Sequence, residues 1–218
     1  DVAGPVMDML YPADSPSRIP IASITGTNGK TTTSRMVSHI FKSAGKVTGL
    51  TTTDGVYIDG HLTVSGDMTG PASAGIVLRD PKVEVAVLET ARGGMLRRGI
   101  AYRQCNVGAV LNIQSDHLGL KGVDSLEDLA KVKRTVVEIA TDTAVLNADD
   151  VHCLKMAEHT KSEYLCYVTM NSGHPLVRDH IKAGGRAVVL EQGMGGHMIT
   201  IYDKGQHIPL IWSHSIPA

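Results

Sequence analysis

Residues 21–33 are Ile-Ala-Ser-Ile-Thr-Gly-Thr-Asn-Gly-Lys-Thr-Thr-Thr. The first five residues predict a short buried strand, and residues 31–44 predict a helix. Glycines in the intervening turn let the backbone approach an anion closely, and the amides and dipole at the helix N-terminus attract negative charge. The stretch therefore predicts a strand, turn and helix that bind a nucleoside triphosphate.

The turn has the residue types of a P-loop in a shortened form. Lys30 offers an ammonium group to the outer phosphates, and the Thr31 hydroxyl is suited to Mg²⁺. A P-loop of the common spacing has glycine at position 24, where this chain has Ile24. A tight turn before an ordinary helix is the alternative interpretation. The candidate ATP-binding residues here are Gly26, Thr27, Asn28, Gly29, Lys30, Thr31 and Thr32.

Length and composition set the class of protein. A chain of 218 residues is long enough for one large α/β domain with a buried core. Its net charge of −1 gives no electrostatic reason to expect nucleic acid or an anionic membrane as a partner. Three cysteines without a C-x-x-C pair predict neither a disulfide framework nor a thiolate zinc site. The sequence shows no signal peptide and no apolar stretch of membrane length, so the cytoplasm is the expected location.

The chain divides into a lead-in and a domain. Residues 1–20 contain four prolines and little periodicity, so we expect a linker from an upstream domain. Residues 21–218 are expected to form the domain proper, within a fragment of a longer protein.

Apolar runs alternate with helical patterns through the domain, which predicts an α/β fold with a mainly parallel sheet and helices on both faces. Residues 56–64 contain an Asp-Gly turn and predict a hairpin. The last runs predict an antiparallel edge, so that the C-terminal portion is smaller and β-rich. Predicted strands cover 21–25, 47–51, 83–89, 107–113, 144–147, 164–169, 187–191, 198–202 and 208–212, and predicted helices cover 31–44, 71–79 and 125–141.

Acidic and imidazole side chains follow two of the predicted strands. Glu89 ends one strand, and Asp116 and His117 follow another. Because ligands gather at the carboxyl ends of parallel strands, Glu89 is a candidate magnesium ligand together with Thr31. A solvated strand-end acid and a structural histidine are the alternatives.

Several motifs in order give the sequence a family resemblance. They are T-G-T-N-G-K-T-T at 25–32, Glu89, N-I-Q-S-D-H at 112–117 and N-A-D-D at 147–150. Together they resemble the central domain of the Mur-type amide ligases, which include folylpolyglutamate synthetase. Finer segments, such as G-D-M-T-G-P at 66–71, resemble the branch that joins arginine to an aspartate-containing peptide polymer.

The resemblance implies an ATP-dependent, ADP-forming ligase in which a carboxylate becomes an acyl phosphate that an amine then displaces. It implies arginine and the aspartate-containing polymer as partners. It also implies a longer, homo-oligomeric protein with an upstream ATP-grasp module and a downstream Mur C-terminal domain. The alternatives are a ligase for peptidoglycan precursors or folates, and a P-loop ATPase that forms no bond.

The resemblance also assigns catalytic roles. Lys30 would stabilise charge on the transferred phosphoryl group, and Thr31 with Glu89 would hold a first Mg²⁺. His117 would hold a second Mg²⁺. A carbamylated lysine often completes such sites, and Lys133 stands at the matching position, with Lys131 as the neighbouring competitor.

Substrate contacts follow from the same resemblance. Asn147 would read the adenine edge, although it could instead cap a helix. Thr69 and Pro71 match a Thr-Pro segment of the family near the acceptor substrate. Apart from the resemblance, Arg92 in its glycine-bearing turn could hold a carboxylate. Arg97 and Arg98 could meet an acidic substrate or form a solvated basic pair.

Overall fold

A computed structural model describes residues 3–12, 15, 18–115, 119 and 122–216 of the chain. The α-helices in this part are α1 (Ala3–Leu10), α2 (Lys30–Ser43), α3 (Pro71–Arg79), α4 (Arg92–Arg98), α5 (Leu126–Glu138), α6 (Val151–Lys155) and α7 (Pro175–Lys182). The strands are β1 (Ile21–Thr25), β2 (Thr48–Thr51), β3 (Gly55–Ile58), β4 (His61–Ser65), β5 (Val85–Glu89), β6 (Cys105–Val110), β7 (Ala140–Asn147), β8 (Tyr164–Thr169), β9 (Arg186–Gly193), β10 (Gly196–Asp203) and β11 (Gln206–Trp212).

The strands form one sheet in the order β11-β10-β9-β8-β7-β6-β1-β5-β2-β3-β4. The run β9-β8-β7-β6-β1-β5-β2 within this order is parallel throughout. The hairpin β3–β4 extends one end of the sheet with antiparallel pairing, and β10 and β11 extend the other. This arrangement confirms the predicted mainly parallel sheet, the hairpin and the antiparallel C-terminal edge.

Strand β5 shows why the sheet is covered on both faces. All five of its residues are buried. Ala86 and Leu88 pack into the cluster that contains Val77 of α3, whereas Val87 packs into the cluster beside Phe41 of α2. Successive side chains of a strand point to opposite faces, so helices must cover both faces of a strand that carries apolar side chains on each of them.

The structure corrects some of the predicted elements. The lead-in contains helix α1, which was not predicted. Helices α4, α6 and α7 were not predicted either. Helix α5 ends at Glu138, and β7 already begins at Ala140, because Ala140 pairs with Cys105 of β6. Strands β8 and β9 continue the parallel sheet, since α7 provides the crossover between them.

No helix in the described ranges is both long enough and apolar enough to cross a membrane.

Candidate active site

The predicted P-loop joins β1 to α2 at the carboxyl edge of the sheet. Gly29 precedes α2 with φ 81°, a left-handed conformation that glycine adopts without strain. At Gly26 a side chain would meet the Leu111 Cβ atom at 2.9 Å, so the close approach of these two loops requires glycine there. No side chain caps the N-terminus of α2, which leaves its first-turn amides facing the loop. The ammonium of Lys30 donates to the Thr27 carbonyl at 2.9 Å.

Thr31 and Glu89 meet beside this loop. The Thr31 hydroxyl donates to Oε2 of Glu89 at 2.8 Å and lies 3.2 Å from the Thr53 hydroxyl. The pairing of β1 with β5, in which Ile24 is opposite Glu89, brings the carboxylate to the end of the P-loop strand. The structure therefore brings together the two predicted magnesium ligands of this region and adds Thr53, which the sequence reasoning missed.

The Glu89 carboxylate is nearly inaccessible, with 2% of the residue exposed. Burial raises its pKa above the ordinary value, and the Thr31 hydrogen bond and the Lys30 charge offset this only in part. Its second oxygen, Oε1, is buried and has no hydrogen-bond partner among the described residues. A buried, half-satisfied carboxylate beside a threonine hydroxyl is a donor set that suits Mg²⁺.

A magnesium ion at this point would need ligands beyond the protein. In the part of the chain that the structure describes, no three His, Cys, Asp or Glu side chains cluster as a metal site. Mg²⁺ commonly keeps waters and takes one or two carboxylates plus substrate phosphates, so the residues present fit that mode. Asp116 and His117, predicted beside this metal, lie outside the described residues.

Lys133 faces the same site from helix α5. This helix buries Leu129, Lys133, Val136 and Val137, which share one face at helical spacing. Only 3% of Lys133 is exposed, and its Nζ donates to the Thr27 hydroxyl at 3.3 Å. The competitor Lys131 lies on the outer face and pairs with Asp128. The spacing from Leu129 to Lys133 was the sequence signal that could have distinguished the two lysines.

Asn147 lies at the end of β7. Its Nδ2 donates to the Leu111 carbonyl at 2.8 Å, and its Oδ1 accepts from the Asp149 amide at 2.9 Å. The helix cap is instead Asp150, whose Oδ1 accepts the amides of His152 and Cys153. The alternative role of Asn147 as the cap of α6 is therefore excluded. One amide hydrogen of its Nδ2 is not used by the Leu111 contact, and its adenine role stays a prediction.

A cleft of about 330 Å³ joins the P-loop to the predicted substrate residues. Thr69 lines it and donates to Asp67, another lining residue that the sequence reasoning missed, at 2.7 Å. Arg92 and Arg97 of α4 also line it, whereas Arg98 does not. The structure thus places Thr69, Arg92 and Arg97 in the same cleft as the P-loop, whereas Arg98, which is exposed like Arg97, does not line it.

The fold and this site define a P-loop α/β domain with an acidic strand end and a buried lysine beside the phosphate loop. A family model described as the Mur ligase middle domain matches residues 24–211. The chain belongs to the Mur ligase family, as the motif resemblance predicted.

The curated relatives include cyanophycin synthetases. Those of Nostoc sp. and Crocosphaera subtropica are 51% and 53% identical over the whole of this chain. The chain spans about a quarter of the length of these relatives, 25% and 26% respectively. The cyanophycin synthetase of Geminocystis herdmanii is 48% identical over the same extent.

Solved structures share the fold at low sequence identity. A UDP-N-acetylmuramoyl-L-alanyl-D-glutamate–2,6-diaminopimelate ligase superposes with a TM-score of 0.66 at 21% identity, over 94% of this chain and 41% of that one. Escherichia coli FolC in complex with DHPP and ADP superposes with a TM-score of 0.59 at 18% identity, over 94% and 50% of the two chains. These similarities confirm the predicted fold class.

Proposed function

We propose that this domain binds ATP within an amide ligase of the cyanophycin synthetase type. In this proposal the enzyme activates an aspartate side-chain carboxylate as an acyl phosphate for attack by arginine. The observation that carries the proposal is a cleft lined by Lys30 and buried Lys133, with the Thr31–Glu89 pair adjoining it through Thr53. The high identity to cyanophycin synthetases over the whole chain supports the choice of substrates.

The reaction has two steps. A carboxylate oxygen of the aspartate side chain attacks the γ-phosphorus of ATP, the bond to the bridging oxygen breaks, and ADP leaves. The arginine amine then attacks the acyl carbon, phosphate leaves with the bonding electrons, and the amine loses a proton. Lys30 and the first-turn amides of α2 hold the phosphates and stabilise the charge that develops on the transferred group.

Magnesium would be held by Thr31 and Glu89, and its charge would offset the charges of the phosphates and of the substrate carboxylate. Glu89 is held by Thr31 and by the end of β5, so its carboxylate is positioned before the nucleotide arrives. We propose His117 as a ligand for a second Mg²⁺, on the family resemblance alone.

Lys133 is proposed to become carbamylated. Its ammonium group would first lose a proton, and the neutral amine would then add to carbon dioxide and lose a second proton, which converts a cation into an anion in the cleft that Lys30 also lines. The position of Lys133 supports this role, because its buried side chain lines the cleft and contacts the Thr27 hydroxyl of the P-loop.

The acceptor side of the cleft carries Thr69, Arg92 and Arg97. Arginine guanidinium groups form paired hydrogen bonds with carboxylates, so this side suits an aspartate-containing polymer. Asn147 is proposed to contact adenine. The homo-oligomer and the cytoplasmic location stay predictions.

The test uses the full-length protein with an aspartate-bearing primer, arginine, ATP and Mg²⁺. We expect ADP release that depends on both primer and arginine, together with polymer growth. Lys30→Ala should reduce both by about 100-fold or more. ADP release that does not depend on arginine would favour an ATPase that is not a ligase. Turnover with a different amino acid would favour another ligase of the family.

A further inference from the structure

We propose that Asn112 is a positioning residue that holds the P-loop in its phosphate-binding shape. The inference rests on the proposed function only in taking the bound phosphate to be that of ATP. Asn112 lies two residues beyond β6, opposite the loop. Its Oδ1 accepts the backbone amides of Thr27 and Asn28 at 3.0 and 2.9 Å, and its Nδ2 donates to the Asn28 carbonyl at 3.2 Å.

The chemistry of these contacts explains why the residue is asparagine. A side-chain amide presents an acceptor and a donor on one planar group. Here the acceptor faces two N–H groups and the donor faces a carbonyl, so the three partners fix the orientation of the amide. Aspartate could not donate to the Asn28 carbonyl, and its negative charge would repel the phosphates.

Gln114 reinforces the same contact. Its backbone amide donates to the Thr27 hydroxyl at 2.9 Å, and its Oε1 accepts from the Asn28 side chain at 2.8 Å. We call Asn112 and Gln114, together with these bonds, the loop clasp. The clasp uses the amides of Thr27 and Asn28, so phosphate would be bound by the amides that follow them, at Gly29 and in the first turn of α2.

Thr27 links the clasp to both lysines of the site. Its carbonyl accepts from Lys30 and its hydroxyl accepts from Lys133. A change in the position of Thr27 therefore moves an anchor of each lysine. We expect loss of the clasp to weaken nucleotide binding and to lower kcat, rather than to change the KM for ATP alone.

Asn106 offers a matched control. It lies on β6 and, like Asn112, accepts a backbone amide with its Oδ1, in this case the amide of Ile21 at the start of β1, at 3.0 Å. Its Nδ2 donates to Asp142. Asn106 therefore ties the same two strands together at their other end, away from the cleft. Asn106→Ala reproduces the structural cost of losing such a bond without touching the P-loop.

The experiment compares the full-length wild type, Asn112→Ala and Asn106→Ala by hydrogen exchange. Deuterium uptake is followed in peptides that cover residues 26–33, with and without Mg²⁺–ATP. Without nucleotide, Asn112→Ala should speed exchange at Asn28 most, because the Thr27 amide keeps a second bond to the Asn112 backbone carbonyl. The ATP concentration for half-protection should rise about tenfold, and Asn106→Ala should change it less than about twofold.

Equal effects of the two alanine variants on ATP protection, or unchanged exchange at Asn28 in Asn112→Ala, would overturn the proposal. If Asn112→Ala does not fold, Gln114→Ala provides a milder test, because Gln114 is exposed and only its side-chain bond is lost. That variant should raise the half-protection concentration about two- to threefold, and no change would count against the clasp. Because this readout needs no ligation, absence of arginine-dependent turnover would refute the proposed function separately.

Discussion

The Thr31 hydroxyl donates a 2.8 Å hydrogen bond to Oε2 of Glu89, which joins the first turn of α2 to the end of β5. The two residues are 58 positions apart in the sequence. Parallel pairing of β1 with β5 brings them together, and burial keeps water from the carboxylate. The hydrogen bond between Thr31 and Glu89 therefore connects the phosphate loop to the candidate metal ligand Glu89.

Glu89→Gln should abolish turnover without weakening the fold. Glutamine retains the size and the acceptor for Thr31 but removes the charge that a magnesium ion requires. We expect kcat to fall about 100-fold or more. In EDTA the melting temperature should equal or exceed that of the wild type, because burial already disfavours the charged form of Glu89 and raises its pKa.

Thermal melts and ADP release, measured on the same preparations, check this expectation. Turnover within about threefold of the wild type would contradict a metal-binding role for Glu89.

Lys133→Ala should reduce ligation about 100-fold, whereas Lys131→Ala should leave it near the wild-type rate. The two lysines share helix α5, but only Lys133 is buried against Thr27, and Lys131 pairs with Asp128 at the surface. If a carbamate is the active form, added acetate should restore part of the lost activity in Lys133→Ala.

Carbon-13 NMR of the wild type in labelled bicarbonate provides the direct measurement. A carbamate signal that is absent in Lys133→Ala but present in Lys131→Ala is expected. An identical signal in all three proteins would show that Lys133 is not the modified residue.

Arg97→Ala should raise the KM for the aspartate-containing primer about tenfold, since one arginine–carboxylate contact is lost. The KM for ATP should change little. Arg98→Ala is the matched control, because Arg98 neighbours Arg97 in α4 but does not line the cleft. Initial-rate kinetics with primer and ATP varied separately measure both constants, and equal effects of the two substitutions would indicate only a general loss of positive charge.

Glu191 should make the stability of the C-terminal strands depend on pH. Burial alone would raise its pKa, but hydrogen bonds from Tyr202, Thr200 and His207 outweigh burial and hold the pKa below its ordinary value. A lowered pKa means that the ionised form stabilises the fold above the unfolded-state value of 4.5. This contribution disappears as pH falls through the folded-state pKa.

Glu191→Gln should therefore lower the free energy of unfolding by about 1 kcal/mol at pH 7. The difference from the wild type should shrink at an acidic pH below the unfolded-state value of 4.5, because Glu191 takes up a proton as pH falls through its folded-state pKa. Urea unfolding at the two pH values measures it, and a difference that grows at low pH would contradict the assigned sign.

Much of the sheet was predictable because buried parallel strands are apolar throughout. Residues 85–88 of β5 carry this pattern clearly. Helix α4 was missed because it is short and contains Gly93 and Gly94, which have low helix propensity. Helix α7 begins with proline, a recognisable start, and missing it hid the parallel connection from β8 to β9.

Some residues of the candidate site were also predictable from the sequence, and others were not. Residue types at strand ends predicted Glu89, and helical spacing could have selected Lys133 over Lys131. No local pattern distinguishes Arg97 from Arg98. The two residues are adjacent in α4, and only the packing of this helix decides that Arg97 lines the cleft and Arg98 does not. The contacts of Asn112 with the P-loop join residues 84 and 85 positions apart, so only the pairing of β1 with β6 creates them.

The sequence by itself determined the chemistry that this chain offers, a phosphate loop with a lysine, a threonine and a strand-end carboxylate, because those features depend on residue type and short spacing. The tertiary structure decided which of these groups share a cleft and what holds them there. The physical reason is that burial, hydrogen-bond geometry and the charge around Glu89 and Lys133 arise from segments that are distant in the chain and become neighbours only when the sheet forms.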